Sequence, residues 1–189
     1  MYKCRVMRSA VLALCLALFF CATTATAARD AKWAQPVELE GVPNLYRVDK
    51  NLYRSAQPTA EGMKNLEKMG IRTIVNLRTY NSDRAEIAGT GLREVRVKMH
   101  AWDPEFEEVV AVLKILTDKS GAPYLLHCQH GADRTGMTIA LYRMAVQNWP
   151  REAAIDEMLN GGYGFHTIWT DIVKFLETVD VEAVRRAIE

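Results

Sequence analysis

Cysteine is scarce in this chain, and most of it sits at one end. Of the four cysteines, Cys4, Cys15 and Cys21 fall within the first 27 residues, which leaves Cys128 alone in the remainder. A single thiol excludes an internal disulfide framework there, and with it a thiolate-rich structural zinc site. Charge of one sign is also missing: 24 basic residues face 23 acidic ones, for a net charge of +1. That balance gives no sign of a nucleic-acid partner or an anionic membrane surface. No Gly/Ser-rich linker, repeat or low-complexity tract divides the chain, so residues 28–189 read as one domain. Long apolar runs are absent as well. The uncharged stretch from Ala10 to Ala22 falls short of the ~20 residues a membrane span needs.

That stretch has another use. Lys3, Arg5 and Arg8 precede it, and Ala25-Thr26-Ala27 supplies an A-x-A cleavage site. The pattern predicts a signal peptide over residues 1–27 and an exported protein, periplasmic or secreted, with no stable membrane insertion of the mature part. An uncleaved N-terminal anchor is the competing reading. Loss of the segment removes three positive charges and no negative ones, taking the net charge to about −2.

After a polar leader, Arg29 to Glu40, strands and helices alternate. Asn51 to Arg54 reads as a strand, and Thr59 caps a helix that runs to Met69 and stops at Gly70. Ile71 to Leu77 is rich in β-branched residues, and Leu92 to Met99 alternates apolar with charged residues, so both read as strands. Helical spacing of Phe106, Val109, Val110, Leu113 and Leu116 predicts a helix over Pro104 to Thr117. Pro123 to His127 is a short apolar run suited to a central strand. Helices follow over Met137 to Val146, Glu152 to Leu159, and one or two from Thr167 onward. The order implies an α/β fold: a mainly parallel central sheet flanked by helices, with ligands beyond the carboxyl ends of the strands.

The loop after Pro123–His127 carries the chemistry: His127-Cys128-Gln129-His130-Gly131-Ala132-Asp133-Arg134-Thr135-Gly136. A short loop entering a helix gathers main-chain N–H groups into an anion-binding nest. Gln129, His130, Gly131, Ala132, Asp133 and Arg134 would form it. The same positive field favours a thiolate, whereas an ordinary thiol is only a few per cent ionised at neutral pH. Arg134 returns across the nest with a fork suited to two phosphate oxygens. Gly131 allows a tight turn with close anion approach, and Gly136 an unobstructed helix start. Thr135 offers a hydroxyl to the sulfur, and His127 can order the loop through backbone hydrogen bonds.

This segment resembles the signature loop H-C-x5-R-[S/T]-G of the cysteine-based protein tyrosine and dual-specificity phosphatases, closest to the small bacterial and atypical dual-specificity members. Asn51 to Pro58 and the strand ending Asn76-Leu77-Arg78 extend the resemblance over roughly residues 40–165. It implies a protein-tyrosine-phosphatase-like fold and hydrolysis of a phosphomonoester through a cysteinyl phosphate on Cys128. It implies no cofactor and no metal. The implied general acid is an aspartate upstream of the cysteine, which places Asp103 in that role. Asp133 and Glu105 compete with it, and the local order Trp102-Asp103-Pro104 departs from the W-P-D of longer members.

The loop's variable positions hold no lysine or arginine, whereas inositol phosphate and lipid phosphatases of the superfamily often carry lysines there. Phosphotyrosine or another phosphorylated protein or small substrate is therefore the expected partner, with inositol phosphate or phospholipid as the alternative. A rhodanese-type sulfurtransferase and a non-catalytic phosphate-binding module are the rival functions. A metal site built from His127, Cys128, His130 and His100 is disfavoured for want of a second cysteine. His100 and His166 default to structural or surface histidines, and Trp102, Trp149 and Trp169 to core or loop packing. Arg54, Arg78 and Arg84 stand evenly between phosphate pocket and surface salt bridge.

Overall fold

The protein is described by a computed structural model over residues 29–189. The expected signal peptide lies outside the described residues. Six strands form one sheet: β1 (Gln35–Pro36), β2 (Tyr46–Arg47), β3 (Leu52–Ser55), β4 (Thr73–Asn76), β5 (Arg93–Arg96) and β6 (Tyr124–His127). Their spatial order is β1-β2-β3-β6-β4-β5. The four strands β3, β6, β4 and β5 run parallel, and β1 and β2 add an antiparallel edge. The helices are α1 (Ala60–Lys68), α2 (Phe106–Thr117), α3 (Asp133–Ala145), α4 (Arg151–Asn160), α5 (Thr170–Thr178) and α6 (Val181–Ile188), with a 3-10 turn at Lys119–Gly121. Among the described residues no helix is long and apolar enough to cross a membrane.

Side-chain alternation along the strands sorts the core into two faces. Ile74 and Leu125 point to the side covered by α1, where they join Met63 and Leu66. Val75 and Leu126 point to the other side, into a larger cluster with Leu113, Met137, Leu141, Leu176 and Val184. Both β4 and β6 are buried along their whole length, as strands covered on both faces must be. Helix α3 is buried on nearly every side because α2, α4, α5 and α6 all pack against it. Thr59 caps α1 as expected: its hydroxyl accepts from the Gly62 N–H at 3.0 Å.

Two expectations need correction. The strand predicted over Leu92 to Met99 is regular only over Arg93–Arg96, because it is an edge strand paired on one side. Helix α3 begins at Asp133 and not near Met137, so Arg134 and Thr135 sit in its first turn. The leader is part of the fold. Ala34 is fully buried, and the Arg29 guanidinium donates to the carbonyls of Ala34 (2.9 Å) and Gly161 (2.6 Å) and to the Tyr163 hydroxyl (2.6 Å).

Candidate active site

Residues 128–132 connect the carboxyl end of β6 to the N-terminus of α3. β6 lies between β3 and β4, with His127 level with Ser55 on one side and Asn76 on the other. The loop is therefore surrounded by the carboxyl ends of three parallel strands. No carbonyl of the described residues accepts from the main-chain N–H of Gln129, His130, Gly131 or Ala132. Together with the helix N-terminus, they form a concave set of donors for an anion. Cys128 sits at the base, 1% exposed and free of any disulfide.

Gly131 makes this turn possible. Its φ is +69°, and a Cβ there would stand 2.4 Å from the Ser55 carbonyl carbon and oxygen. The close approach it permits is thus to the end of β3. Gly136 has a different task from the one expected. Already inside α3, it leaves room for Met158 of α4, whose Cγ would lie 3.0 Å from a Cβ.

The loop is held from beneath by polar groups buried in the core. Arg54 on β3 is 0% exposed, donates to the Gly131 carbonyl at 2.6 Å, and stacks its guanidinium 3.7 Å from the Tyr163 ring centre. Burial pushes its pKa down, against the pull of nearby Tyr163, Glu157 and Cys128. On the other side, His127 is fully buried between two acceptors. Its Nε2 meets Asp83 Oδ2 at 2.8 Å and its Nδ1 meets the Cys128 carbonyl at 3.1 Å. Asp83, itself 0% exposed, also accepts from Arg78 at 2.7 Å and from the Gln57 side chain at 2.9 Å. Burial raises the Asp83 carboxyl, but hydrogen bonds from His127 and Gln57 and the charges of His127 and Arg78 outweigh it, leaving it below its ordinary value.

Above the loop opens a cleft of about 470 Å³, lined by Arg78, Tyr80, Trp102, Gln129, His130, Asp133, Arg134, His166, Ile168 and Trp169, among others. The guanidinium of Arg134 donates weakly to the carbonyls of Leu77 (3.4 Å) and Met99 (3.3 Å), while its Nε has no partner among the described residues. Thr135 is buried, and its hydroxyl has no hydrogen-bond partner among the described residues, so the expected bond to the sulfur is not formed. Asp133 does not turn a free carboxylate into the cleft. Its Oδ1 accepts from the main-chain N–H of His166 at 2.9 Å, and its Oδ2 meets His166 Nδ1 at 2.9 Å. His166, exposed as a surface histidine would be, thus forms part of the cleft wall.

Asp103 is exposed at the bend before α2; its neighbours Ala101 and Trp102 line the cleft and it does not. Glu105 is exposed at the start of α2. Glu108, one turn further on, is pushed up to about 7 by burial and by the negative charges of Glu105 and Asp103. Trp102 and Trp169 both line the cleft, Trp169 also packing against the core as expected, whereas Trp149 lies over the Arg143 guanidinium at 4.3 Å. Arg54 and Arg78 are buried beside the loop, and Arg84 is exposed. Sequence reasoning missed Asp83 entirely. Its only signal was an acidic residue soon after the Asn76-Leu77-Arg78 strand end, which does not reveal the turn that carries it back under His127.

A family model described as "Tyrosine phosphatase family" matches residues 42–187. The dual specificity protein phosphatase TpbA of Pseudomonas aeruginosa is 36% identical over 168 residues, 88% of this chain and 75% of that one. The crystal structure of a cysteine-to-serine form of P. aeruginosa TpbA in complex with pTyr superposes with a TM-score of 0.77. It is 34% identical and covers 85% of this chain and 98% of that one. The core catalytic domain of the PP-IP phosphatase SIW14 from S. cerevisiae, 23% identical, has a TM-score of 0.67 and covers 79% and 93%. At that identity the likeness concerns the fold alone.

Proposed function

The chain belongs to the tyrosine phosphatase family, and from that premise we propose that it hydrolyses phosphotyrosine in proteins or peptides through a cysteinyl phosphate on Cys128. The supporting observation is the build of the cleft. Its floor is the amide loop with Arg134, and its rim carries Tyr80, Trp102 and Ile168, exposed by 81%, 57% and 77%. Apolar side chains are seldom left so exposed side by side without a ligand to cover them. An aryl phosphate presents a dianion to the floor and a ring to the rim. Inositol polyphosphates would need several cations besides Arg134; no lysine lines the cleft, and Arg78, which does, is paired with Asp83.

In the first step the Cys128 thiolate attacks phosphorus in line, the S–P bond forms and the P–O ester bond breaks. Arg134 and the loop amides hold the non-bridging oxygens as charge shifts. The leaving oxygen takes a proton from a carboxylic acid, for which Asp103 is the proposed donor because its neighbours form the cleft wall. The resulting carboxylate then takes a proton from water, which attacks phosphorus, breaks the S–P bond and releases phosphate. None of these steps calls on a cofactor. The uncharged, largely apolar N-terminal segment after Arg8, with its A-x-A site, supports export of the enzyme before it meets its substrate.

The test is turnover of p-nitrophenyl phosphate and of a phosphotyrosine peptide in thiol reductant with chelator. Cys128→Ser should abolish both while retaining oxyanion binding; wild-type turnover in that variant would sink the assignment. Asp103→Asn should slow phenyl phosphate by about 10²–10⁴-fold and p-nitrophenyl phosphate much less, since the better leaving group needs less protonation. Equal loss on both substrates would remove Asp103 as the acid. Preference for an inositol polyphosphate over the peptide would favour the alternative substrate class.

A further inference from the structure

We propose that His130, Asp133 and His166 form a binding site for a zinc-class divalent cation at the mouth of the cleft, and that the bound ion inhibits turnover. One ligand atom from each residue lies within 4.8 Å of those from the other two. Tetrahedral zinc holds nitrogen and oxygen ligands at about 2.0–2.2 Å, which places them roughly 3.3 Å from one another. His166 Nδ1 and Asp133 Oδ2 are already 2.9 Å apart. The remaining distance is closed by rotation of His130, which is exposed and whose ring makes no hydrogen bond among the described residues.

The segments bearing these residues are far apart in sequence but fixed to each other. Asp133 Oδ1 accepts from the His166 main chain at 2.9 Å. Asn44 clips the two together, its Nδ2 donating to the carbonyls of His130 (2.9 Å) and Tyr163 (3.0 Å). The rings of His130 and His166 already stand edge to face with centres 5.4 Å apart. A site so pre-organised loses little freedom when an ion arrives. Two imidazoles and one carboxylate are the donor set of an open zinc site, and imidazole selects zinc-class ions over magnesium or calcium. Arg78 and Arg134 line the same cleft, so their charge holds the affinity below that of a closed structural site.

Inhibition follows from position. His130 and Asp133 belong to the anion loop itself, so an ion with its remaining waters stands where the phosphate ester must pass. This part rests on the phosphatase reading; the binding does not.

Binding is tested by titrating zinc calorimetrically, and cobalt by its tetrahedral visible band, into the Cys128→Ser protein, where the thiolate of the anion loop cannot contribute. One ion per chain is expected, with affinity lowered about 10–100-fold when His166→Ala is added. No binding, or binding indifferent to that change, overturns the site. Inhibition is tested by zinc titration of p-nitrophenyl phosphate turnover in the cysteine-containing protein. His166→Ala should raise the inhibitory zinc concentration by a similar factor, with His166→Gln as a size-matched second variant if Ala impairs folding. Equal zinc sensitivity in the variant would mean that the ion acts on Cys128, and the inhibitory role falls. Absence of turnover in chelator would count against the phosphatase reading alone, since the binding measurement needs no turnover.

Discussion

At the residue scale, Asp83 is the most consequential side chain outside the loop. Three donors converge on one buried carboxylate: His127, Arg78 and Gln57. Through His127 they reach the carbonyl of the proposed nucleophile, which makes Asp83 a positioning residue. Removing one member of such a buried set leaves the others desolvated and unpaired, at about 3–5 kcal/mol. Asp83→Asn should therefore lose stability on that order in urea denaturation at pH 7. The folded carboxyl titrates below its unfolded value, so its contribution is present above the ordinary carboxylate range and is lost as pH falls through the folded value. The difference between wild type and Asp83→Asn should then narrow on acidification below about pH 4. A constant difference at all pH values would show that the charge of Asp83 contributes nothing.

At the scale of elements, the active loop depends on the distance between a turn and a strand end. Gly131 combines a left-handed backbone with contact against the Ser55 main chain. The left-handed conformation alone disfavours an L side chain by about 1–2 kcal/mol. A Cβ among backbone atoms cannot be relieved by rotating a flexible side chain. Gly131→Ala should push the loop away from β3, break the Arg54 hydrogen bond to the Gly131 carbonyl, and reduce turnover far more than it lowers Tm. Full turnover with unchanged Tm would refute this account of the turn. Gly136 is less critical, because a new methyl there meets the flexible end of Met158.

At the scale of the whole molecule, one buried network ties the first described residues to the helices that back the loop. Arg143 of α3 forms a paired contact with Glu157 of α4, Nε to Oε2 at 2.7 Å and NH2 to Oε1 at 2.9 Å. Glu157 Oε1 also accepts from the Ala34 main chain (2.7 Å) and from the Tyr163 hydroxyl (3.0 Å). The Tyr163 ring lies under the Arg54 guanidinium, so the network ends directly below the anion loop. Glu157→Gln should destabilise the protein by about 3–5 kcal/mol, since Arg143 keeps its buried charge without a counter-charge. Thermal unfolding reads this at roughly 2–4 °C per kcal/mol for a chain of this size. A shift of under a degree would mean that water reaches Arg143.

The sequence by itself determined the parts of this protein that rest on local chemistry. β-Branching marked β4, alternation β5 and a short apolar run β6, Thr59 and Gly70 bounded α1, and Cys128 and Arg134 with the flanking His127, Gly131, Thr135 and Gly136 identified the loop and pointed to the family. These signals are local because strand pleat, helix caps and a strand–loop–helix turn are each set by residues a few positions apart. Only the tertiary structure decided what approaches that loop from elsewhere in the chain. Asp83 beneath His127, Arg54 beneath Gly131 and His166 against Asp133 are contacts across 33 to 77 positions, and the rim likewise gathers distant residues. No periodicity encodes them. Buried polar groups must find partners wherever the fold brings them, and that pairing exists only once the parallel sheet has closed around the loop.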